Sequence, residues 1–149
     1  MRLLVASDEP VVRRGFRDIL AARQGWSVAT EVAAAEELPE AIRRNGTDVA
    51  VLVLPLGEHG GIELVEQIRA HSPLLPVIVV AAFSAEQYAI SFFRAGANAF
   101  LRRSAEADEI LAALDAVAGG GKYVAPTLAI DMARPAFYRI GYNAGTAEF

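Results

Sequence analysis

Short apolar runs alternate along the chain with stretches in which apolar residues recur every three or four positions. Leu3-Leu4-Val5-Ala6 is the first run and ends at Ser7-Asp8. Such a run suits a strand buried on both faces. Val12, Phe16, Ile19 and Leu20 then recur at helical spacing behind Pro10, which a first helical turn tolerates because its missing N–H costs nothing there. The cycle repeats four times. Strands are expected over 26–32, 49–54, 76–81 and 99–101. Helices are expected over 34–44, from Ile62 with Val65 and Ile68, from Ser84, and from Ser104 through Ile110, Leu114 and Val117. Ser84 with Gln87 fits a capping box, and Ser104 is placed to cap the last helix ahead of Glu106, Asp108 and Glu109. Gly119-Gly120-Gly121 stops that helix.

Strand-helix pairs in steady succession imply a parallel sheet with right-handed crossovers. Five pairs in about 118 residues favour a doubly wound sheet over an eight-fold barrel, which needs roughly twice the chain. In such sheets the working crevice lies beyond the carboxyl ends of the strands. Here those ends are Ser7-Asp8, Val53-Leu54, Ala81-Ala82 and Arg102-Arg103. A length of 149 residues suits one core-bearing domain. The absence of cysteine excludes disulfides, thiolate metal sites and cysteine nucleophiles. A net charge of -4 argues against a free-standing nucleic-acid binder. No apolar run follows a basic start, and the longest, Leu74 to Phe83, falls short of a membrane span. The expected setting is therefore cytoplasmic, without membrane contact.

Several segments resemble the receiver domain of two-component response regulators of the NarL/FixJ type. They are the stretch from Leu3 to Phe16, Gly61-Ile62-Glu63-Leu64, Pro76-Val77-Ile78-Val79-Val80, Tyr88, Arg94 to Leu101, and Gly119 to Pro126. The resemblance implies a flavodoxin-like (CheY-like) α/β fold. That is a five-stranded parallel sheet in the order 2-1-3-4-5 within a three-layer α/β/α sandwich. It also implies a chemistry that this chain lacks the residues to perform. Receivers accept a phosphoryl group on an aspartate at the end of the third strand, and Val53 stands there without a nucleophilic oxygen. The acidic pair that holds magnesium falls on Ser7 and Asp8, the switch hydroxyl on Ala81, and the fifth-strand lysine on Arg103. Asp8 alone keeps its type, so neither a metal site nor a magnesium cofactor is expected. Asp48 lies five residues from Val53, about 16 Å away along the strand, and His59 reads as an exposed loop histidine. Asp8 is expected to cap the first helix, or to pair with Arg103.

The function these residues imply is a regulatory receiver domain that works without phosphorylation, and no enzymatic activity. The alternative is a small-molecule sensor that uses the vacated crevice. Tyr88, Phe92 and Phe100 are candidates for an interface on the face of the fourth helix, fifth strand and fifth helix, for a homodimer or a partner protein. Residues 1–122 are expected to form the receiver-like domain. Residues 123–149 form an aromatic-rich tail, or the start of a linker to a DNA-binding domain absent from this chain. That tail holds five of the eleven Phe and Tyr residues.

Overall fold

A computed structural model describes residues 1–81 and 86–125. In chain order the elements are β1 (Arg2–Ala6), α1 (Pro10–Ala21), β2 (Ser27–Val32), a 3-10 turn (Ala35–Glu37), α2 (Leu38–Asn45), β3 (Val49–Leu54) and α3 (Ile62–His71). They continue with β4 (Val77–Ala81), α4 (Glu86–Ala95), β5 (Ala99–Arg102), α5 (Ala107–Ala118) and β6 (Tyr123–Val124). The expected strand order is extended by one strand. The parallel sheet runs β2-β1-β3-β4-β5-β6, with Tyr123 and Val124 paired to Ala99 and Phe100. Those two residues therefore belong to the sheet and not to the tail. The tail beyond Ala125 lies outside the described residues.

The sheet's alternation sorts its apolar residues into two cores. Leu3, Val5, Val49, Val51, Val53, Val80 and Leu101 pack with Phe16 and Leu20 of α1 and with Leu114 and Val117 of α5. Leu4, Ala6, Leu52, Leu54, Val79 and Phe100 pack on the other side with Leu38 of α2, Leu64 and Ile68 of α3, and Phe92 of α4. Every residue of β3 and β4 is buried, as expected for strands covered on both faces.

Two expected helix starts differ from those found. A helix from Ala34 would put Pro39 in its interior, where it lacks an N–H and crowds the carbonyl four residues back. The chain instead makes the 3-10 turn and restarts at Leu38, with Pro39 in the first turn. Ser104 does not cap α5, whose N-cap is Glu106 with no side-chain bond. The capping box at Ser84 lies outside the described residues.

Gly61 shows why a glycine precedes α3. Its φ is +119°, and a Cβ there would sit 2.1 Å from Leu54 Cδ1. The start of α3 thus presses directly on the end of β3. At the amino ends of the strands, Arg69 donates to the carbonyls of Ser72, Pro73 and Gly96 and to Asn98 Oδ1. Asn98 Oδ1 also accepts from Val77 N–H at 2.9 Å. The Gly96-Ala97-Asn98 stretch therefore does structural duty, locking the α4–β5 turn to α3 and β4.

Candidate functional site

The five positions singled out in the sequence come together at the carboxyl ends of β1, β3, β4 and β5. Register sets their neighbours. Val53 lies opposite Val80, Leu54 opposite Ala81, and Ala81 opposite Arg102. Arg103 N–H donates to Ala81 O at 3.1 Å, which draws the β5–α5 turn against the end of β4.

Val53 is 2% exposed and belongs to the apolar core with Val5, Val51, Val80 and Leu101, edged by Val12 and Ala105. Ala81 is buried on the opposite face of the sheet with Leu54 and Phe92. Ser7 is buried, and its Oγ accepts from Glu9 N–H at 3.1 Å.

The charged residues are arranged differently from expectation. Asp8 neither caps α1 nor pairs with Arg103. Its carboxylate accepts from Gly57 N–H at 3.0 Å, tying the β1–α1 turn to the β3–α3 loop. The N-cap of α1 is Glu9, whose side chain makes no cap bond. Its carboxylate reaches across to the Arg103 guanidinium. Glu9 is thus a crevice residue that the sequence reading passed over. The signal was present as a second consecutive acid after β1, one position later than the family pair. Behind it, Arg13 donates to Ser7 O at 2.6 Å and pairs with Glu31, which also pairs with Arg17.

The remaining candidates are dispersed. Asp48 accepts from Arg2 N–H at 2.7 Å at the far end of the sheet. His59 lies in the β3–α3 loop, 4.0 Å from Glu36. Of the three interface candidates only Tyr88 is exposed, at 47%. Phe92 and Phe100 are each 1% exposed, with ring centroids 5.7 Å apart. They are core residues and cannot present an interface. Phe92 packs from α4 into the core beside the sheet, and Ala99 to Leu101 of β5 are buried. Two grooves on the described surface lie away from these strand ends. One, of about 420 Å³, lies between α2 and α3, lined by Leu38, Ile42, Leu64 and Ile68. The other, of about 480 Å³, lies between α4 and β6, lined by Ile90, Phe93, Lys122 and Val124.

This fold is that of a receiver, and the chain belongs to the response regulator receiver domain family, which it matches over residues 3–115. It is 31% identical over 146 residues to the methanol utilization control regulatory protein MoxX of Paracoccus denitrificans, across 97% of this chain and 65% of that protein. It is 27% identical over 120 residues to the uncharacterized transcriptional regulatory protein YxjL of Bacillus subtilis (strain 168), across 80% of this chain and 55% of that one. The crystal structure of a LuxR-family two-component response regulator from Aurantimonas sp. SI85-9A1 superposes with a TM-score of 0.83. It is 28% identical and covers 93% of this chain and 97% of that one. The chain thus spans little more than half to about two thirds of the length of these two curated regulators. Among the described residues no helix is long and apolar enough to cross a membrane.

Proposed function

We propose that this receiver domain regulates without aspartyl phosphorylation, as part of a transcription regulator whose output passes through protein contacts. The observation that carries the reading is Val53. The resemblance assigns it the phosphoacceptor position, and its side chain is packed into the α1/α5 core. A receiver normally works as a two-state equilibrium biased by the phosphoryl group. With no acceptor oxygen, the bias has to come from contacts or be built in.

The donor set does not fit magnesium. That ion wants several hard oxygen ligands in near-octahedral array. Here one carboxylate is held by Gly57 N–H, a second faces a guanidinium, and the third position is a valine. No group of three or more His, Cys, Asp or Glu among the described residues could hold a metal ion. A small-molecule sensor in the crevice has less support, because Val53 and Ala81 are buried among apolar side chains at its floor. A contact with a second copy or a partner fits best on the exposed face of α4 at Tyr88, together with the adjoining α4–β6 groove. DNA would be reached only through a separate domain, as the greater length of the related regulators allows.

The test is an amide spectrum of the protein with magnesium and beryllofluoride, which mimics the phosphoryl group on an aspartate. The amides of Val53 to Gly61 are expected to keep their positions. Saturable shifts confined to that loop and to Arg103 would overturn the proposal.

A further inference from the structure

We infer that Glu9 and Arg103 form a built-in ionic strap across the mouth of the crevice, holding it closed by the chain's own charges and without a ligand. The inference deepens the phosphorylation-independent reading and rests on it. The two residues are 94 positions apart and come from opposite sides of the crevice, Glu9 from the β1–α1 turn and Arg103 from the β5–α5 turn.

Glu9 has a competing place to go. It stands at the N-cap of α1, where unsatisfied backbone N–H groups and the helix dipole favour a carboxylate. No acidic residue occupies the first turn of α1, and the Glu9 side chain makes no cap bond. It turns instead to Arg103. Asp8, the neighbouring acid, is held by Gly57 N–H, so the guanidinium meets Glu9 rather than a shared acidic pair. Both turns are also fixed by backbone. Arg103 N–H reaches Ala81 O, Ala105 N–H reaches Arg102 O at 3.0 Å, and Glu9 N–H reaches Ser7 Oγ. A change in the strap is therefore passed to identifiable amides. Through Asp8 and Gly57 it also extends to the β3–α3 loop, so three of the strand ends are tied together around Val53.

The side chains are 34% and 51% exposed. Such a pair is of modest strength and yields to salt. That suits a strap that closes the crevice by default and can be loosened by a competing charged partner.

The experiment is hydrogen exchange on the full chain, read at the amides of Glu9, Gly57, Arg103 and Ala105. Glu9→Gln and Arg103→Gln are each expected to speed exchange at these amides about two- to five-fold. The amide of Val65 in α3 serves as an unaffected control. The charge swap Glu9→Arg/Arg103→Glu is expected to restore protection, and about 1 M salt is expected to bring wild type close to the single variants. Unchanged exchange in both single variants, or a swap no better protected than they are, would overturn the strap. Neither result depends on phosphodonor chemistry, so labelling of the wild-type protein would sink the proposed function while leaving the exchange data to judge the strap.

Discussion

Val53→Asp is expected to lower the stability of the domain by about 3 kcal/mol at neutral pH, although it supplies the acceptor carboxylate that the proposed reading finds missing. The substitution places a carboxylate in a site that is 2% exposed, among Val5, Val51, Val80 and Leu101. Two cationic groups, one in α1 and one in the turn after β5, already have partners. Arg103 faces Glu9, and Arg13 is held by Ser7 O and Glu31. A buried charge without a partner costs far more than the lost apolar contact. Burial penalises the charged form and so raises the carboxyl pKa in the folded state. The folded state then binds the proton more tightly than the unfolded chain does. The loss is therefore smallest at acidic pH, where both states are protonated, and grows as pH rises through the carboxylate range. Urea unfolding of wild type and variant at acidic and neutral pH measures this. A loss under about 1 kcal/mol at neutral pH would show that the site is open to water and not part of the core.

Phe92→Ala is expected to cost about 3–5 kcal/mol, as large aromatic truncations in close-packed cores do. Phe92 is 1% exposed, its ring faces Phe100, and its Cε1 lies 3.2 Å from where a Cβ on Gly61 would be. The cavity left behind is walled by α3, α4 and β5, whose backbones cannot all close on it. Tyr88→Ala, on the exposed side of the same helix, is expected to cost about 1 kcal/mol or less. A shift in the denaturant midpoint separates the two. Equal effects would mean that α4 is not seated as described. The contrast also decides which residue tests an interface. A change at Phe92 would act through folding, whereas a change at Tyr88 leaves the core intact.

The apolar runs at Leu3, Val49 and Val77 were legible because a buried parallel strand has no polar face to confuse it. β3 is found over the residues expected, and the crevice positions converge because the carboxyl ends of parallel strands must share one edge. Four features were not legible. β6 is only two residues long, and its place comes from Ala99 and Phe100 offering backbone partners rather than from any pattern of its own. Phe92 looked like an interface residue because helical spacing gives a stripe without saying which aromatic lies on it, and Phe100 because the resemblance puts the fifth strand on the same face. The destination of the Glu9 carboxylate depends on a contact 94 residues away, which no local pattern encodes. Asp8 was misplaced for a related reason. A helix start offers a carboxylate an obvious partner, and the competing Gly57 N–H becomes visible only when the β3–α3 loop is folded.

The central claim is that no aspartyl phosphate forms in this receiver. The most direct measurement is the intact mass of the wild-type protein after incubation with acetyl phosphate and magnesium, with a phosphorylatable receiver treated in parallel. The account predicts an unchanged mass for this chain while the parallel receiver gains a phosphoryl group. A gain on this chain of one phosphoryl group that is labile to both acid and base and released by hydroxylamine, as an acyl phosphate is, would contradict it.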